Sequence, residues 1–472
     1  MKPRILKYMA ILLFAFSIAV AAQDTTPVVA DSLTTTIAVI VPAEEVAVVE
    51  EVAQLDSGNT AWIIVATILV MMMTIPGLAL FYGGLVRQKN VLSIIMQCLV
   101  ITGVISILWI SFGYSWVFGT AFIESGNPLS FIMGGLDKVF LHGITLNTLV
   151  PGANIPELLF ALFQCMFAVI TPALIIGAFA ERIKFSGFLV FTILWAIIVY
   201  NPMAHWVWGG GWLQQMGAID FAGGTVVHIN AGISALVMAI MLGRRKGYRT
   251  TGHPVTPHSI PLVFIGTALL WVGWFGFNAG SGLAADGLAA NAFLVTHFAT
   301  AVAATGWMAL DWLINKKPTA IGFCTGAVAG LVAITPAAGT VDVLGAFCIG
   351  LISTIICYCM VAYVKPKLKY DDSLDAFGVH GIGGIVGSIL TGVFATQTIT
   401  GAEGVQGALY GDWNQLWTQV IATGASIAYS AILTIILFFI VNKTIGLRVT
   451  KDDESIGLDI SQHGEIAYSE DE

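Results

Sequence analysis

Charge is what this chain has least of. Only 10% of its 472 residues are Asp, Glu, Lys or Arg, against 57% hydrophobic. A soluble domain carries roughly 25% charged residues, so a fully hydrated surface is excluded. Strict apolar–polar alternation is also missing, which excludes a barrel of the outer-membrane kind. The six cysteines, Cys98, Cys165, Cys324, Cys348, Cys357 and Cys359, all fall within apolar runs and form no CxxC spacing. They read as small apolar fillers, with neither a disulfide framework nor a metal site. No HExxH, GxSxG or phosphate-cradling loop occurs, so nothing points to an enzyme, a metal or a cofactor. The net charge of −8 is held largely by two acidic ends, and no nucleic-acid partner is indicated.

Long apolar runs are what the chain has in abundance. They fall near 60–85, 91–118, 157–180, 185–204, 222–243, 260–279, 291–314, 319–337, 344–364, 375–396 and 415–441. Each reads as a helix crossing a hydrocarbon core of about 30 Å, and 51 glycines suit close helix packing in lipid. The basic residues test this partition. Arg87, Lys89, Arg182, Lys184, Arg244, Arg245, Lys246, Arg249, Lys316, Lys317, Lys365, Lys367 and Lys369 lie in alternate connections. Lys443, Arg448 and Lys451 lie in the tail, and only Lys138 falls on the other side. The positive-inside rule then places the N-terminus out and the C-terminus in, across eleven spans. The expected fold is an all-α polytopic membrane protein. Residues 1–22, with Lys2, Arg4 and Lys7 before an apolar stretch and small residues, read as a cleavable signal peptide. An extracytoplasmic lead at 23–59, a transmembrane domain at 60–442 and a cytoplasmic tail at 443–472 complete the division.

Ionisable residues inside spans are costly in lipid and usually face a cavity or a partner. His228 and His380 stand out, each near enough to the bilayer middle for the two rings to meet if their helices are neighbours. Asp220-Phe221-Ala222-Gly223-Gly224-Thr225-Val226-Val227-His228-Ile229-Asn230-Ala231-Gly232-Ile233 resembles Asp375-Ala376-Phe377-Gly378-Val379-His380-Gly381-Ile382-Gly383-Gly384-Ile385. Each segment has an acid before the histidine and a small-residue run with Gly and Ile after it. Two inverted five-helix repeats plus a final helix would leave this trace, with a substrate path at their interface. A lone intramembrane histidine is ordinarily a packing residue; two in corresponding positions argue for more. His142, His205, His253, His258, His297 and His463 have no such pairing. Trp206, Trp208 and Trp212 crowd a glycine-rich bend before Asp220, and Trp faces can hold a small cation. Trp274-Phe275-Gly276-Phe277-Asn278-Ala279-Gly280-Ser281 adds aromatics and a hydroxyl at the outer end of the sixth span.

Together with Phe81-Tyr82-Gly83-Gly84-Leu85 and Gly177-Ala178-Phe179-Ala180-Glu181-Arg182, these segments resemble the signatures of the ammonium transporter (Amt/Mep/Rh) family. The resemblance runs from about residue 60 to the end and is closest to the bacterial Amt branch. It implies ammonium or methylammonium as substrate. It further implies an external recognition site of Trp208, Ser281 and Phe163, a stacked gate of Phe167 and Phe277, and pore-lining His228 and His380. Asp220 would be a buried acid that supports the recognition site, with Asp372 and Thr335 in related supporting roles. A homotrimer in the bacterial inner membrane and a P-II nitrogen-regulatory partner at the tail are implied as well.

The chemistry agrees with that resemblance. Ammonium offers four N–H donors and a charge to a serine oxygen and aromatic faces. Carrying the intact ion through an apolar pore would cost several kcal/mol, whereas releasing its proton lets a neutral molecule pass. Neutral imidazoles, offering both donor and acceptor, suit such a path. A potassium-type channel is disfavoured by the missing Thr-Val-Gly-Tyr-Gly filter. A sensor with its own output domain would need more than the short tail.

Overall fold

The computed structural model describes residues 54–248 and 256–468. The expected signal peptide, most of the lead, and Arg249 lie outside them. Among the described residues there is no strand, only two isolated bridges between extended segments. The helices are α1 (Ser57–Leu85), α2 (Gln88–Glu124), α3 (Glu157–Phe179), α4 (Phe185–Gln215) and α5 (Gly224–Leu242). They continue as α6 (Ile260–Gly280), α7 (Gly287–Asn315), α8 (Ala320–Ile334), α9 (Val343–Leu368), α10 (Phe377–Phe394) and α11 (Trp413–Thr444). Ten of them are long and apolar enough to cross a membrane; α8 is shorter.

Starts are written locally. Asp56, Ser259, Asp286, Thr319, Asp342 and Asp412 each accept a backbone N–H of the turn they open, satisfying donors that a helix start otherwise leaves bare. The expected span at 319–337 is cut to 15 residues, Ala320–Ile334. At 1.5 Å per residue that is about 22 Å, short of a full crossing. Thr335 to Thr340 turn instead, and Pro336 has no N–H with which to extend the helix. Pro76 likewise interrupts α1, where Ile75 is extended at φ −131°.

Polarity runs inward from an apolar surface. On α11, Ile432, Ile435, Ile436, Phe439 and Ile440 are exposed. Its opposite stripe is hydroxyls and amides, bonded to α5 and the segment before it. Gln419 Nε2 donates to Ile219 O (2.7 Å), Ser426 Oγ to Thr225 O (3.2 Å), Ser430 Oγ to Asn230 Oδ1 (2.7 Å) and Thr434 Oγ1 to Ser234 Oγ (2.9 Å). In lipid such bonds direct a helix to its partner where apolar contact alone does not.

One end of the bundle gathers the basic connections. Glu181 pairs with Arg87 (2.8 Å) and Arg245 (3.1 Å), and Arg245 with Asp371 (3.0 Å). Burial alone would raise both carboxyls, but Arg245, joined by Arg87 at Glu181 and by Arg182 at Asp371, holds them below the usual range. The tail is strapped across this end. Leu447 O accepts from Lys184 N (2.8 Å), and Arg182 O from Val449 N (3.1 Å). The Arg448 guanidinium donates to Leu242 O (2.7 Å) and Arg244 O (2.6 Å), and Asp459 Oδ1 accepts from Ser93 N (2.8 Å). Lys138, the exception to the charge pattern, is ion-paired with Glu157 at 2.6 Å, which also accepts from Tyr114 Oη.

Candidate functional site

The two histidines sit on matching frames. The Asp220 carboxylate accepts from the backbone N–H of Gly223 (2.8 Å), Gly224, Thr225 (2.8 Å) and Val226 (3.1 Å), and from Thr225 Oγ1. Gly223 is left-handed at φ +115°, and a wide helical turn over Gly224–Ile229 then carries His228. In the other half, Asp372 accepts from Ala376 N (3.1 Å) and Phe377 N (2.8 Å). Asp375 is left-handed at φ +60°, and a wide turn over Phe377–Gly381 carries His380. Each histidine therefore follows its capping acid by eight residues. The sequence comparison had set Asp375 opposite Asp220. That pairing is corrected to Asp372, because Asp375 occupies the place of Gly223 and turns its carboxylate to Lys365 at 2.6 Å.

Two glycines let the halves close. A Cβ on Gly232 would lie 2.1 Å from Gly381 N, and one on Gly384 would lie 3.0 Å from both His228 Cβ and Gly224 O. Each glycine stands one helical turn beyond its own histidine and against the backbone of the other. The rings consequently meet, with centroids 5.4 Å apart, planes 18° apart and Nδ1 atoms separated by 3.4 Å. They border a narrow cavity with Leu78, Phe81, Trp274 and Phe277. It leaves about 10 Å³ for the centre of a water-sized molecule, room for about one such molecule.

Beyond the cavity lies the aromatic end. Phe277 and Phe167 are 4.4 Å apart at 33°, and Phe277 is 6.0 Å from His228. Phe167 also meets Phe163 edge-on at 5.1 Å and Trp208 at 5.8 Å. Ser281 is on the next turn of the chain after Phe277 and donates to Phe277 O at 2.8 Å. The Trp208 indole N–H donates to Asp220 O at 2.8 Å. One residue thus anchors both halves of this arrangement: Asp220 caps α5 through its carboxylate and holds Trp208 through its carbonyl. Trp206 and Trp212 belong elsewhere, packed with each other and with Phe131. Thr335 Oγ1 accepts from Trp274 Nε1 at 2.8 Å.

Some contributors were not legible beforehand. Asn230 Nδ2 donates to Val226 O (3.2 Å), taking a carbonyl of the wide turn, and Ser430 fixes Asn230 from α11. Two positions after His228, Asn230 offered only the signal of a polar residue in an apolar run. Trp274 stood in a segment the sequence singled out, but its stacking on His228 at 5.4 Å and 16° had no signal there.

A family model described as the Ammonium Transporter Family matches residues 61–468. The chain is 47% identical over 416 residues to an ammonium transporter of Bacillus subtilis (strain 168), covering 88% of this chain and 100% of that one. With an ammonium transporter of Aquifex aeolicus (strain VF5) it shares 50% over 418 residues, 88% and 95% of the two chains. The crystal structure of Candida albicans Mep2 superposes with a TM-score of 0.78 at 36% identity, over 88% and 91%. A structure described as a sensor Amt protein gives 0.78 at 31%, over 86% and 98%.

Proposed function

The chain belongs to the ammonium transporter family, and from that premise we propose how this multi-pass membrane transporter, not an enzyme, handles its substrate. Ammonium is held by Trp208, Phe163 and Ser281, with aromatic faces meeting its charge and serine oxygen its N–H groups. It gives up a proton there, and ammonia passes between Phe167 and Phe277 into the cavity beside His228 and His380. The observation that carries this reading is the cavity itself, sized for one small molecule and bordered by two paired imidazoles and by Phe277, which packs on Phe167. A hydrated cation does not fit that space, and a bare one would lose its solvation without an acid to replace it. The proton is proposed to travel separately, taken up by His228 and passed to His380, so that charge moves with each molecule. Asp220, Asp372 and Thr335 act as supports rather than as contacts.

The proposal extends to topology and setting. The eleven crossings proposed, the short α8 being completed by the buried turn after Ile334, with the Trp208 end outside and the arginine-rich end inside, agree with a Lys138 neutralised by Glu157. The bacterial inner membrane, signal cleavage, a homotrimer and a P-II partner at the tail follow the family. Methylammonium uptake with paired current recording tests the pore on wild type and on the double variant His228→Ala, His380→Ala. Loss of uptake, of current, or of discrimination against potassium is expected. Unchanged transport in that variant would overturn the site, and uptake without current in wild type would overturn charge movement.

A further inference from the structure

His228 is fixed in its backbone but not, by hydrogen bonds, in its ring. The Asp220 cap and Gly384 settle where its Cβ lies. Rotation of an imidazole about its last torsion is broad and must be limited by neighbours. Among the described residues its Nε2 has no hydrogen-bond partner, and Nδ1 has only His380 at 3.4 Å. The flat neighbour is Trp274, whose ring is nearly parallel to His228 at 5.4 Å, so that Trp274, His228 and His380 form one series of near-parallel rings.

Trp274 is itself locked. It is 1% exposed, and its only polar atom donates to Thr335 Oγ1, whose hydroxyl is in turn donated to Leu331 O at 2.7 Å. With its N–H committed to α8, the indole offers the cavity only carbon edge and π face. It is not available to hydrogen-bond a substrate. Among the described residues, His380 has no ring against it other than His228. Orientation therefore passes in one direction, from Thr335 to Trp274 to His228 and on to His380. We infer that Trp274 is a positioning residue for conduction, fixing the rotation of the His228 ring so that its Nδ1 meets that of His380, and that Thr335 acts through it. A π face also suits a ring that takes on a proton, since it attracts a cation.

This inference rests on the histidine pair being the conduction path. The test uses the full-length protein in proteoliposomes, recording ammonium-evoked current and methylammonium uptake side by side. Trp274→Leu should lower the ratio of current to uptake by about tenfold, the size of a lost aromatic pair expressed as a ratio. Trp274→Phe and Thr335→Val should each lower it by about threefold on the same scale. The double variant Trp274→Phe, Thr335→Val should fall no further than Trp274→Phe alone, because residues acting through one contact are not additive. A merely structural role would lower current and uptake together and leave their ratio alone. A wild-type ratio in Trp274→Leu, or additive losses in the double variant, would overturn the inference. Should Trp274→Leu not fold, the Phe and Val variants with their double decide it. His228→Ala with His380→Ala is the control: if that variant keeps the wild-type ratio, the underlying reading fails as well.

Discussion

The two histidine-bearing halves share a plan and differ in surroundings. Acid, left-handed residue, wide turn and histidine recur at the same spacing around Asp220 and around Asp372. Around Asp220 the frame is neutral and aromatic: five donors saturate the carboxylate, and Trp208, Trp274 and the α11 hydroxyls brace the rest. Around Asp372 there are two donors, from Ala376 and from Phe377 at the start of α10, and the neighbouring residues carry charge. Asp371 pairs with Arg245, and Asp375 with Lys365. A repeated backbone device has been given to recognition in one half and to anchoring in the other. What differs is which neighbour uses each capping segment, not how the helix begins.

The sharpest way to break this comparison is at the crossing the halves share. Gly232→Ala puts a methyl group into the backbone of Gly381 with nothing flexible to yield, so uptake should fall by more than about tenfold. Gly384→Ala, with its nearest contacts at 3.0 Å, should lose less; equal losses would argue against a shared crossing. Next come the caps. Asp220→Ala strips more buried donors than Asp372→Ala, so thermal unfolding in detergent should show losses of about 3 kcal/mol or more against about 1–3. The reverse order would mean that the charged half is the one that holds the pair. Ser430→Ala should cost about 1 kcal/mol and weaken the His228 side alone. Ser430→Thr, which keeps the hydroxyl, should restore it.

The smallest effect is expected from pH. Glu181 and Asp371 are held ionised by Arg245 against the opposing effect of burial, so their folded values lie below their unfolded ones. The stability they contribute is present above the unfolded value, about pH 4, and is lost as pH falls through the lowered values. Melting temperature should thus decline only below about pH 4. In Arg245→Met it should decline from a higher pH, since burial is then opposed only by Arg87 at Glu181 and by Arg182 at Asp371.

How much could be read in advance follows from what each feature depends on. Spans depend on composition over twenty residues, which the chain states plainly. The all-helical fold was legible for that reason. The histidines were legible because an ionisable group is conspicuous in an apolar run. The register of the repeat was not, because Asp375 resembles Asp220 in type while Asp372 matches it in position. Only the backbone, with Gly223 and Asp375 both left-handed, settles that three-residue offset. Trp274 and Asn230 were hidden for another reason: their roles come from neighbours far along the chain, Thr335 and Ser430, which no local spacing reveals.

The strap formed by the tail has a consequence for how the molecule is made. Its contacts join residues made after α11 to segments made much earlier, at Ser93, Lys184 and Arg244. The carbonyls of Leu242 and Arg244 wait for Arg448, which leaves the ribosome only after every span has been inserted. A chain cut after α11 would keep its helices but leave these acceptors bare, with exposed loops for a protease to find. The last two dozen described residues therefore bind together segments far apart along the chain, and their loss would loosen the end they cover.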